Sequence, residues 1–188
     1  MTIAPVKFDS LAEADAEDWA QLKVGWAAFL EETPNRVLRH LELLDYDLGG
    51  LPVTQLEHSL QTATRAFRAG RDEEYVVCAL LHDIGDMLAP TDHATFAATI
   101  LKPYVSEQNH WMIAHHATFQ GYYINKYWDL DPDAREAFRG HPHFDHTAEF
   151  CALFDQTSFD RRYDSMPLEA FRPMVHRVLA ASRLASPL

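Results

Sequence analysis

An all-α fold is the reading of this 188-residue sequence, and three observations lead to it. Apolar residues recur at helical spacing along nearly the whole chain. No segment alternates apolar and polar residues as a half-buried strand does. Prolines, glycines and capping residues punctuate the chain at intervals that suit short helices. Neither an internal repeat nor a low-complexity linker interrupts it, so one domain over residues 1–188 is expected.

Taken in order, Leu11, Trp19, Leu22, Val24, Trp26, Phe29 and Leu30 place a first helix between Ser10 and about Glu31. A second, from about Asn35 to Asp45, follows Pro34. The loop YDLGGLP, with two glycines and a proline, comes next. Thr54-Gln55-Leu56-Glu57 fits a capping box and opens a helix that runs to about Ala69. Asp72 caps a fourth, which leads into His82-Asp83, and Thr91 or Asp92 caps another that begins at His93. Ser106 to His116 reads as helical. Pro132 after Asp131 suits a first helical position, His143 to Asp155 keeps helical period, and Pro167 opens a last helix to about Ala181.

Composition narrows the function classes. Sixteen Lys+Arg against 28 Asp+Glu give a net charge of −12. Such a surface repels nucleic acid and anionic lipid, and neither is expected as a partner. A small anionic substrate would need its own basic pocket. The two cysteines, Cys78 and Cys151, both lie in apolar helical patterns and read as buried free thiols. No apolar run approaches the ~20 residues that span a bilayer, and Met1 to Ser10 lacks a secretory segment. A cytoplasmic protein is expected; the oligomeric state is left open.

Eleven histidines are many for this length. His58, His82, His93 and the pair His115-His116 lie at helix ends beside apolar stretches, where a neutral imidazole offers a lone pair to a metal. In ALLHDIGD, Asp83 follows His82 at the end of an apolar run. Burying both is costly unless something pairs with them. A structural hydrogen bond is one answer. The other is a dinuclear site, in which one carboxylate gives an oxygen to each ion and offsets the repulsion between two cations. Asp155, at the polar end of an apolar helix, is a further candidate. Imidazole and oxygen donors without cysteine suit iron, manganese or zinc. His141, His143 and His146 read as a solvated helix start, and His40, His110 and His176 are isolated.

In this order, His58, His82-Asp83 and Asp155 resemble the H…HD…D signature of the HD-domain superfamily. His93 and His116 resemble the two extra histidines of its dinuclear members. The segment VTQLEHSLQTA, Val53 to Ala63, is similar to the one that carries the first histidine in HD-domain mixed-valent diiron oxygenases. Those enzymes oxidise 1-hydroxyphosphonates and break the carbon–phosphorus bond. The resemblance spans Tyr46 to Asp164 (residues 46–164) and implies a helical HD bundle with an added N-terminal helix.

Carried over by residue, the resemblance implies that His58, His82, Asp83 and Asp155 bind one iron. His93 and His116 complete the second, and Asp83 bridges a mixed-valent Fe(II)/Fe(III) pair that uses O2 as co-substrate. Adjacent helical side chains diverge by ~100°, so only one of His115 and His116 is expected to reach the metal, and the family spacing to Gln120 and Tyr122 selects His116. Tyr46 would guard the open iron position.

The sequence departs from the family where amine-bearing substrates are held. No glutamate stands in the loop around Tyr46, Gln120 replaces a lysine, Asp86 replaces a histidine, and a serine-rich loop between His116 and Asp155 is largely absent. Phe119, Tyr122, Tyr123, Tyr127 and Trp128 are either core or a cage for a quaternary ammonium, with Asp86 adding opposite charge. The cage would suit a 1-hydroxy-2-(trimethylamino)ethylphosphonate, converted to glycine betaine and phosphate. Arg161 and Arg162 are candidates for the phosphonate, or balance surface charge. A metal-dependent phosphohydrolase and a non-catalytic binding domain of the same fold are the rival readings.

Overall fold

Eight α-helices and three short helical turns, with no strand among the described residues, make up the computed structural model. It describes residues 5–46, 49–180 and 182–183. Residues 1–4, Asp47 and Leu48 of the YDLGGLP loop, and Ala181 at the expected end of the last helix lie outside the described residues.

The helices are α1 (Ala16–Glu31), α2 (Thr33–Glu42), α3 (Gln55–Arg68), α4 (Glu73–Leu81), α5 (His93–Leu101), α6 (Glu107–Ile124), α7 (Phe144–Phe150) and α8 (Leu168–Ala180). Side-chain oxygens set the starts of four of them. Asp15 caps α1 in a reciprocal box with Asp18. Thr54, Asp72 and Ser106 accept backbone N–H groups at the starts of α3, α4 and α6. The box expected at Thr54 is half present. Glu57 turns its carboxylate to Ser165 Oγ at 2.7 Å instead of back to its own helix start.

Several boundaries differ from the sequence reading. α6 continues past His116 to Ile124 through Gly121, because tertiary contacts on its buried face outweigh the weak helix propensity of one glycine. DPDAREAF makes a short 3-10 turn at Ala134–Phe138. The helix expected from His143 to Asp155 is α7 followed by a π turn, Cys151–Asp155.

α4 lies at the centre. Tyr75 through Leu81 are all buried, as suits a helix that is apolar all round. α3, α6 and α8 pack around it, and α2 joins α8. Leu38, Leu41, Leu80, Leu101, Met112, Phe150 and Phe171 belong to the single hydrophobic cluster that results. α1 buries no residue and packs against α2, where Arg36 stands over the Phe29 ring. The bundle therefore presents the start of α3, the end of α4, the start of α5 and the middle of α6 to one another, and the histidines sit there.

Candidate metal centre

α4 ends at Leu81, and the chain enters tight turns in which Asp86 N–H bonds to the Asp83 carbonyl at 3.0 Å. His82 and Asp83 thereby project from the central helix into the space between α3, α5 and α6. Gly85 permits this. A Cβ there would meet the His93 carbonyl oxygen at 2.7 Å and Phe96 Cβ at 2.9 Å. Only glycine lets the turn pack directly against the start of α5, which carries His93.

The donors converge in two groups. His58 and His82 bring their Nε2 atoms to 3.1 Å of each other, and both face Asp155 Oδ1, at 3.3 and 3.7 Å. His93 and His116 do the same with an Nε2 separation of 3.3 Å. Asp83 lies between. Its Oδ2 faces His58 and His82 at 3.4 and 3.1 Å, and its Oδ1 faces His93 and His116 at 3.4 and 3.1 Å.

Ring tautomers decide what such an arrangement wants. His58, His82 and His116 each place Nδ1 against a backbone carbonyl, of Ser158, Ala79 and Ile113 respectively, at 2.7 to 3.1 Å. A carbonyl only accepts, so Nδ1 carries the proton and each neutral ring offers a lone pair at Nε2. Lone pairs about 3 Å apart repel unless a cation lies between or protons are taken up. Asp155 Oδ2 is buried and has no hydrogen-bond partner. An orphaned buried carboxylate oxygen and convergent imidazole lone pairs fit divalent metal ions with oxygen and nitrogen preference.

Electrostatics without an ion agree. Burial alone would lower the His58 pKa, but hydrogen bonds to Asp155 and Asp83 raise it to about 9. Burial disfavours the Asp83 carboxylate, yet His82 and its other histidine neighbours hold its pKa well below the usual range. Asp155 is lowered likewise by His58 and His82.

Supporting residues surround the donors. Asp86 faces His93 Nδ1 with one oxygen at 3.3 Å and accepts the Gln55 amide with the other. Both oxygens of Asp86, expected to carry charge for a substrate cation, are engaged in this way, and they orient His93. Gln120 donates to Asp155 Oδ1 at 2.8 Å. Tyr46 is half-buried beside this group, and its phenol pKa is raised by burial and then by the charges of Asp86 and Asp83. Tyr123 is half-buried too, and Asp155 is among the groups that raise its pKa, after burial and Cys151.

His116 thus sits in the cluster, whereas His115 turns away to stack on Trp111, ring centroids 4.1 Å apart. Arg162 is 93% exposed and Arg161 donates to the Pro52 carbonyl at 2.7 Å; neither is brought to the donors. The aromatics do not assemble into one cage. Phe119 is core, Tyr127 and Trp128 are 75% and 71% exposed, and Tyr122 lies under Arg135. Gln55 and Phe159, which stacks on His58 with centroids 4.5 Å apart, were missed in the sequence. Gln55 had a signal, since it lies three residues before His58 and so on the same helix face.

With this geometry in place, the comparisons can be read. The HD-domain family profile matches residues 56–170, more than half of the chain and all six donor residues. The chain belongs to the HD-domain family. Within it, a stretch of 41 residues is 56% identical to the [1-hydroxy-2-(trimethylamino)ethyl]phosphonate dioxygenase (glycine-betaine-forming) of Leisingera caerulea. That stretch covers 22% of this chain and 21% of that relative, about a fifth of each. This HD domain is all-α, holds a buried His/Asp cluster suited to metal, and has no described helix long and apolar enough to cross a membrane.

Proposed function

We propose that this HD domain is an iron- and O2-dependent dioxygenase that cleaves the carbon–phosphorus bond of a 1-hydroxyphosphonate. The substrate is (R)-1-hydroxy-2-(trimethylamino)ethylphosphonate, and the products are glycine betaine and phosphate. The observation that carries the reading is the donor set divided by Asp83, in a chain that shares a stretch with a glycine-betaine-forming phosphonate dioxygenase. Two buried free thiols accord with action in the reducing cytoplasm.

His58, His82, Asp155 and one oxygen of Asp83 would hold the first iron. His93, His116 and the other oxygen of Asp83 would hold the second. When bound, a mixed-valent Fe(II)/Fe(III) pair supplies the redox chemistry with dioxygen. The chain supplies position and charge. Asp83 and Asp155 offset the cations, and three backbone carbonyls and Asp86 fix the imidazole tautomers. Gln120 keeps one Asp155 oxygen in place. Tyr46 and Tyr123 line the polar flank where a substrate hydroxyl would approach. The cation subsite is the less complete part, since of the five aromatics only Tyr123 is half-buried, and Tyr122 lies under Arg135.

Metal analysis and electron paramagnetic resonance on anaerobically purified protein test the reading, together with O2-dependent phosphate release. Two irons, a coupled mixed-valent signal that the hydroxyphosphonate perturbs, and phosphate formed only with O2 are expected. Phosphate-ester hydrolysis without O2 would make the protein a hydrolase instead. Purification without metal would make it a binding domain.

A further inference from the structure

Arg135 lies on the 3-10 turn Ala134–Phe138 and its side chain is only 15% exposed. Its guanidinium carbon stands 3.6 Å from the Tyr122 ring centroid, which fixes the group in place. Nε is buried without a hydrogen-bond partner. Glu136 pairs with the guanidinium as an ion, 3.6 Å from Nε and beyond hydrogen-bond distance, while its oxygens accept from Arg139 at 2.7 and 2.8 Å.

A buried guanidinium Nε–H without an acceptor is costly. It is the more unusual in a chain with 28 acids to 16 bases. Its turn packs on α6, where Phe138 meets Phe119 and Trp111. α6 also carries the donor His116, as well as Gln120 and Tyr123. Tyr123, on the same helix, feels the Arg135 charge. The cation therefore stands beside the stretch of α6 that serves the cluster.

We propose that Arg135 is the anion anchor of the site, receiving the phosphoryl oxygens of the substrate in the role that the sequence suggested for Arg161 and Arg162. The proposal rests on the phosphonate reading above. A guanidinium presents paired donors that match two oxygens of a phosphoryl group, and a doubly charged anion approaching an acidic surface needs such a local cation. Tyr122 serves as the platform that holds it.

Isothermal titration of inorganic phosphate into the metal-loaded full chain tests this, because phosphate shares the phosphoryl oxygens and needs no turnover. Arg135→Gln is expected to weaken phosphate binding roughly tenfold or more, with metal content unchanged, and to raise KM for the hydroxyphosphonate more than it lowers kcat. Arg135→Lys, which keeps charge but loses the fork, is expected to weaken binding severalfold and carries the test if the Gln variant fails to load metal. Phosphate binding within twofold of the wild type in both variants, or a tenfold loss in Arg162→Gln instead, would overturn the proposal. A wild-type chain that does not turn over the hydroxyphosphonate, yet loses phosphate tenfold in Arg135→Gln, would overturn the phosphonate reading and leave Arg135 as an oxyanion anchor.

Discussion

Asp83 points one oxygen at each pair of histidines, so no other side chain can replace it. Asp83→Ala is expected to lose both metals, or to retain one, and to abolish turnover; elemental analysis that finds two irons per chain with normal activity would refute the bridge. Asp155→Asn keeps the volume but removes the charge that faces His58 and His82, and iron content should fall. Proton linkage gives a third expectation. The folded pKa of His58 without metal, about 9, lies above its ordinary 6.5. The stabilisation it brings is complete below pH 6.5 and is lost as pH rises through 9. Metal-stripped protein should therefore unfold at lower urea concentration at pH 9 than at pH 6.5. Metal-loaded protein, whose Nε2 atoms are occupied, should not show this loss. The six donors were readable in the sequence because a buried His-Asp pair and helix-end histidines have few inexpensive explanations. The contacts of Asp86 were not readable, because nothing in one dimension reveals that His93 Nδ1 and Gln55 reach it.

Segments were legible where capping residues and hydrophobic period agree, as in α3 and α4, and less so where packing decides. α6 was expected to stop near His116, and its continuation to Ile124 rests on burial of Phe119 and Gly121, which no local signal announces. The π turn Cys151–Asp155 was equally hidden, since a helical period of apolar residues does not distinguish α from π winding. The turn between α4 and α5 yields a sharper expectation. Gly85→Ala would place a methyl group within 3 Å of the His93 backbone and Phe96 Cβ, and backbone cannot step aside as a flexible side chain can. A loss of about 1–3 kcal/mol is expected from such overpacking, seen as a lower urea midpoint. One metal of the two should be lost first, because the displaced segment carries His93 and not His58 or His82.

For the molecule as a whole, the all-α class followed from periodicity alone, and the family from the order of its donors. The substrate pocket did not, because its walls come from segments far apart in sequence, and the aromatic stretch after His116 divides between core and solvent. The acidic surface still shapes what can enter. A trimethylammonium group needs ring faces, whereas a primary amine needs directed acceptors, and Asp86, the nearest free-looking acid in the sequence, is already engaged by His93 and Gln55. The trimethylated hydroxyphosphonate is therefore expected to show a higher kcat/KM than its primary-amine analogue in parallel assays under O2. Equal efficiencies, or the reverse order, would count against the preference.

Three of the four donor imidazoles are held by main-chain carbonyls, and only His93 is held by side chains. Heritable variation cannot replace a carbonyl, so the first metal position is bound to the fold itself. The second is adjustable through Asp86 and Gln55, two codons that can change while the helices stay as they are. A library randomised at those two positions should spread more widely in occupancy of the second metal than of the first, which Gln55 reaches only through its longer contact with Asp83 Oδ2 at 3.5 Å. If related chains drift between one ion and two, or between one metal and another, this is where the drift would begin.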